Sequence, residues 1–118
     1  MSKQHYHFFP DTAEKVFPSI EPDLLKAVLR QMFLIRNFEQ RGEAAYSQGK
    51  VGGFYHSYAG QEAIQTACVA ACGLEHWFTT TYRCHALALL LGASPNSMMA
   101  ELYGKKDGCA VVRLDRCI

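Results

Sequence analysis

The sequence has no long apolar run: its most apolar stretch, Ala86 to Leu91, is six residues long. A helix crossing a bilayer needs about eighteen or more, so no membrane span is expected. Nor is there an excess of either charge. Twelve Lys and Arg stand against 11 Asp and Glu, for a formal net charge of +1. That leaves no basic footprint for nucleic acid or an anionic membrane surface. Residues Met1 to Pro10 carry two His, one Lys and two Phe without an apolar core. They fit neither a secretory signal nor an Arg- and Ser-rich transit segment, and a cytoplasmic location is expected. P-loop, dinucleotide-glycine and nucleophile-elbow patterns are missing too, because Lys50 to Gly53 lacks their spacing and follows no strand.

An even cysteine count is also lacking. Cys68, Cys72, Cys84, Cys109 and Cys117 make five, so a disulfide framework is not expected. Cys68 and Cys72 stand four apart in an Ala-rich helical stretch, on one face where two metal ligands could sit. No second pair has ligand spacing, and His76 and His85 supply none. Buried, small apolar thiols are the expectation, with no metal site.

What is present is ordinary globular composition, 49% apolar and 19% charged, enough for one modest core. Residues 1–18 are polar and aromatic without period and read as an extended arm, interrupted by Pro10 and Pro18. From Ser19 onward a capping hydroxyl, Pro22 and Asp23 predict a helix start. Leu25, Val28, Leu29, Met32, Ile35, Phe38, Ala45 and Tyr46 form an apolar face up to the stop signal Gly49. Leu24, Phe33 and Leu34 lie off that stripe and call for neighbours on a second side. Arg36, Glu39, Gln40, Arg41 and Glu43 read as a polar face, solvated for the most part.

Lys50 to Gly60 packs three aromatics among its glycines and reads as a loop with a task. Gln61 to Cys72 predicts a helix whose inward positions are Ala or Cys, ended by Gly73. Trp77 to Thr81 is aromatic and β-branched and predicts a strand. A short apolar helix over Ala86 to Leu91 follows. Another, capped by Ser94-Pro95, runs to Gly104, and Lys105 to Gly108 is a turn.

Two constellations carry chemistry. In Thr81-Tyr82-Arg83-Cys84-His85 a strand end meets a helix start, a place where α/β folds bind anions. Arg83 could fork two hydrogen bonds onto phosphate oxygens and Tyr82 could add a hydroxyl. A surface salt bridge is the bland alternative for Arg83, and a satisfied structural imidazole is the bland reading of His85. The second constellation is Phe54-Tyr55-His56-Ser57-Tyr58 with Gly60-Gln61-Glu62-Ala63. There the loop would present Phe54 and His56 to a ligand, with Gln61 and Glu62 behind; alternatively Glu62 only complements the helix dipole.

Taken in order, Leu34 to Glu39, Gly53 to His56, Gly60 to Ala63, Thr81 to His85, Met99 to Lys105 and Gly108 to Ala110 resemble the amino-terminal part of the α subunits of 2-oxo acid dehydrogenases. The Phe-x-His and Tyr-Arg-x-His forms are most similar to the pyruvate dehydrogenase type. The resemblance implies an α/β fold, the amino-terminal part of a doubly wound thiamine-diphosphate-binding unit, mostly helical over this stretch. It implies oxidative decarboxylation of pyruvate, with the acetyl unit passed to a lipoyl group on an acyltransferase core, by an α2β2 assembly. Tyr82 and Arg83 would grip the cofactor diphosphate, and Phe54 and His56 would lie near the cofactor and substrate channel. The glutamate that activates the aminopyrimidine would belong to the β subunit, leaving no catalytic residue in this chain.

After Ala110 the family pattern continues into a Gly- and Lys-rich segment and later a Gly-Asp-Gly motif that binds magnesium. Here Val111 to Ile118 follow instead, so the Mg²⁺ ligands are expected outside this chain. The resulting division is an arm over 1–18, a cofactor-domain segment over 19–110 and an atypical tail over 111–118. A truncated product, inactive alone and arising from a frameshift after Ala110, is the expectation. Two alternatives stay open: a helical interaction module that docks a β subunit without chemistry, and an acetoin or branched-chain 2-oxo acid dehydrogenase α subunit.

Overall fold

The computed structural model describes residues 20–109. These form helices α1 (Pro22–Ser47), α2 (Glu62–Cys72), α3 (His85–Leu90) and α4 (Pro95–Leu102). The arm over 1–18, the Ser19 hydroxyl, Ala110, Cys117 and the tail over 111–118 lie outside the described residues.

Helix α1 starts where Pro22 occupies the first turn, in which its missing N–H is no loss, with Asp23 near the positive end of the helix. Glu21 takes the cap position without a side-chain capping bond, so Pro22 and Asp23 mark the start. The helix ends as its sequence predicts. Gly49 adopts φ +68°, and the N–H groups of Gly49 and Lys50 donate to the carbonyls of Tyr46 and Ala45 at 2.8 and 3.0 Å. That paired closure needs a left-handed residue, which glycine supplies without strain.

The apolar stripe of α1 turns inward at Ile35, Phe38 and Ala45, which are buried. Leu29 and Tyr46, expected on that stripe, are exposed, and so are Leu24, Phe33 and Leu34 off it, so the neighbours expected on a second side are not supplied by the described residues. Helix α1 packs against the other three helices, and α2 packs against α3. The shared core holds Ile35, Phe38, Tyr58, Val69, Leu87, Leu89, Leu90 and Met98. Helix α3 is apolar on nearly every side, with Ala86, Leu87, Leu89 and Leu90 all buried, as befits the central element.

Three expectations are corrected here. Trp77 to Thr81 form no strand, and among the described residues there is no strand at all. A lone extended segment has no ladder to take its backbone N–H and C=O groups, so its β propensity goes unused. Residues 20–109 are therefore helix and loop, and the α/β class is not formed within them. Second, Cys68, Cys72, Cys84 and Cys109 are exposed rather than buried. Helix α2 turns Glu62, Thr66 and Val69 inward instead, at the i, i+4, i+7 spacing of one helical face. Third, Glu39 belongs to the buried face of α1, not to its solvated one. The turn over Lys105 to Gly108 is present, closed by the Gly108 N–H donating to the Lys105 carbonyl at 3.0 Å.

Candidate functional site

The loop between α1 and α2 and the segment entering α3 lie side by side, and this juxtaposition gathers the four site residues expected from sequence. The His56 and Tyr82 rings lie 4.4 Å apart at a 51° tilt. Phe54 stacks beyond His56 at 6.5 Å, and the Arg83 guanidinium sits 5.7 Å from the Tyr82 ring centroid, within cation–π range. Arg83 also donates from Nη1 to the backbone carbonyl of Ser57, tying one segment to the other. Phe54 and Tyr82 are 88% and 67% exposed, so the rings form a rim open to a ligand. Among the described residues no carboxylate pairs with Arg83. An exposed phenol beside a partly buried guanidinium that has no carboxylate partner suits an oxyanion such as a diphosphate.

Beneath this rim lies a buried carboxylate. Glu39 is fully buried, a position that strongly disfavours an ionised group unless its oxygens are hydrogen-bonded. Both are. The Tyr55 hydroxyl donates to Oε2 at 2.6 Å, and His85 Nδ1 lies 3.1 Å from Oε1. An ionised carboxylate only accepts, so His85 Nδ1 carries the donated proton. Tyr55 stacks on the His85 ring at 5.1 Å and 20°. Burial raises the Glu39 pKa, but the bonds from His85 and Tyr55 outweigh it and hold the carboxyl below its ordinary value. Burial and the same carboxylate push the Tyr55 phenol well above its usual range, so it stays a donor.

The other end of the loop is fastened by charge. Arg36 Nε and Nη2 donate to Glu62 Oε1 and Oε2 at 2.5 and 2.9 Å, a bidentate pair across 26 positions. The Gly60 N–H donates to the same carboxylate at 3.0 Å. The Arg36 bonds, opposed by burial, lower the Glu62 pKa to about 2. Glu62 therefore clamps the loop to α1 and is occupied there, rather than backing a ligand at Phe54 and His56.

A family profile described as the dehydrogenase E1 component matches residues 30–115. The chain belongs to the dehydrogenase E1 component family. Several curated E1 relatives carry the name pyruvate dehydrogenase E1 component subunit alpha. That from Rickettsia bellii is 35% identical over 94 residues, covering 80% of this chain and 28% of the relative. That from Rhizobium meliloti is 42% identical over 86 residues, covering 73% and 24%. A relative from Kluyveromyces lactis, whose name adds "mitochondrial", is 33% identical over 98 residues, covering 83% and 24%. The chain thus spans about a quarter of the length of these relatives. No solved structure matches it.

Within this E1 segment the residues that sequence reasoning missed are Glu39, Tyr55 and the Arg36–Glu62 pair. One signal could have exposed Glu39: it falls at i+4 from Ile35 and i+1 from Phe38, inside the apolar arc of α1. Arg36 and Glu62 carry no local signal, since their contact depends on how the loop returns. Among the described residues no group of three or more His, Cys, Asp or Glu side chains is placed to hold a metal ion. No described helix is long and apolar enough to cross a membrane. A groove of about 640 Å³ between α1 and α4, lined by Leu34, Phe38, Arg41, Met99 and Tyr103 among others, shares no residue with the Phe54–Arg83 rim.

Proposed function

We propose that this E1 segment forms one wall of the thiamine diphosphate site of a pyruvate dehydrogenase α subunit, within a doubly wound α/β unit completed by chain beyond residues 20–109. The observation that carries the reading is the convergence of Phe54, His56, Tyr82 and Arg83 on one exposed rim. The names of the E1 relatives support pyruvate as the substrate, as do the Phe-x-His and Tyr-Arg-x-His forms.

In this reading Arg83 and Tyr82 hold the diphosphate through charge-assisted hydrogen bonds. Phe54 and His56 provide the aromatic wall beside it. Thiamine diphosphate, when bound, supplies the electron sink for loss of carbon dioxide from the 2-oxo acid. The Mg²⁺ ligands lie outside the described residues. A β subunit completes the site, and a lipoyl-bearing acyltransferase core receives the acetyl group. The isolated chain then binds cofactor without turnover. A cytoplasmic location belongs to the same proposal, with the mitochondrial name of the Kluyveromyces lactis relative marking the competing one.

A second reading is favoured by the exposed Leu24, Leu29, Phe33 and Leu34 on α1, which suit a module that docks a β subunit without chemistry. Calorimetric titration with thiamine diphosphate and Mg²⁺, with and without a cognate β subunit, separates the two. Cofactor uptake that disappears in Arg83→Ala supports the cofactor wall. Capture of the β subunit with cofactor affinity unchanged by that substitution supports docking alone.

A further inference from the structure

Two segments meet at the rim, and each passes through Glu39 before it gets there. Tyr55, bonded to Oε2, is the residue between Phe54 and His56. His85, on Oε1, stands two residues beyond Arg83 and three beyond Tyr82. One buried carboxylate therefore holds the loop by its middle and the second segment by its end. We infer that Glu39 is a positioning residue, which through Tyr55 and His85 sets the loop and the Tyr82–Arg83 segment in register so that His56 and Arg83 face one ligand.

The arrangement is over-determined in a way a bystander core residue is not. Tyr55 lies flat on His85, and Phe38 meets the other partner of that stack, its ring 5.8 Å from His85. Gly42, one turn along α1 from Phe38, leaves the space the Tyr55 hydroxyl occupies; a Cβ there would overlap it. Helix α1 thus supplies the acceptor, the floor and the clearance for one hydroxyl. Of the direct links between the segments, the His56–Tyr82 ring contact lies at the exposed rim, where water competes with it, and the Arg83 bond to Ser57 is part-buried. The buried carboxylate is the anchor that water does not reach. Glutamine at position 39 keeps the shape but removes the charge and presents one acceptor and one donor in place of two acceptors. Either His85 then turns an unprotonated Nδ1 to it or the Tyr55 hydroxyl accepts instead of donating, and two charge-assisted bonds become neutral ones.

The inference rests on the proposed diphosphate site, and the experiment separates the two. The full chain is titrated with inorganic pyrophosphate by calorimetry, and the nuclear Overhauser contact between the His56 and Tyr82 rings is recorded without ligand. Glu39→Gln is expected to lose that contact and to weaken pyrophosphate by about tenfold, the scale of one hydrogen bond to a charged group, with far-ultraviolet circular dichroism unchanged. Tyr55→Phe, which removes a single bond, is expected to fall between the two and covers the case in which Glu39→Gln does not fold. Retention of the ring contact in Tyr55→Phe and in folded Glu39→Gln overturns the positioning role, whatever pyrophosphate does. Pyrophosphate affinity unchanged in Arg83→Ala overturns the diphosphate site instead, while loss of the ring contact in the Glu39 variant still supports the positioning role.

Discussion

Gly42 and Tyr55 show how much a single position can decide in this chain. A methyl group at position 42 would overlap the Tyr55 hydroxyl and its ring, and neither partner has room to retreat because the hydroxyl is bonded to Glu39 at 2.6 Å. Gly42→Ala improves intrinsic helix propensity by about 0.8–1 kcal/mol. Overpacking in a filled site costs about 1–3 kcal/mol. The clash is expected to prevail, so thermal unfolding should show a lowered Tm. In Gly42→Ala/Tyr55→Phe, where the hydroxyl is gone, part of that loss should return. A variant as stable as the parent would mean that Tyr55 moves freely. Glu39 itself was legible only in part. Its period puts it on the inward face, but nothing local indicates that a tyrosine 16 positions on and a histidine 46 positions on will neutralise the cost of burying it.

Among the elements, the tie between α1 and α2 depends on pH in a defined direction. Arg36 holds the Glu62 carboxyl at about 2, against an ordinary value of 4.5. A carboxyl depressed in the folded state contributes stability that is whole above the ordinary value and is lost as pH falls towards the folded one. Stability to urea should therefore decline between about pH 4.5 and 2. Glu62→Gln should lower stability at pH 7 and flatten the decline in that window. An equally steep acid limb in the variant would assign the effect to other groups. Helix ends were readable because their causes are local: Pro22 at one end of α1, Gly49 at the other. The segment Trp77 to Thr81 has strand-favouring residues and forms no strand, because a strand is not a local object. Its residues favour extended backbone, but pairing needs a neighbour that residues 20–109 do not contain.

At the scale of the whole molecule, the described residues bury a small core around α3 and leave large apolar side chains outside. Leu24, Leu29, Phe33 and Leu34 on α1 are exposed, and Trp77 is fully so. Exposed apolar side chains in this number mark an interaction surface where they cluster, as Leu29 and Phe33 do one turn apart on α1. The isolated chain should bind a hydrophobic dye such as anilinonaphthalene sulfonate, and a cognate β subunit should suppress that fluorescence. Fluorescence unaffected by the β subunit would place the docking face elsewhere. Helix ends, the loop between α1 and α2 and the turn at Lys105 to Gly108 are legible in the sequence because capping and glycine geometry act over a few residues, and the family is legible because six short blocks from Leu34 to Ala110 occur in order. Only the tertiary structure decided that Glu39 is buried between Tyr55 and His85, that Glu62 is spent on Arg36, and that Phe54, His56, Tyr82 and Arg83 share one rim. Those outcomes depend on contacts between residues distant in sequence, whose free energy exists only once the helices have packed.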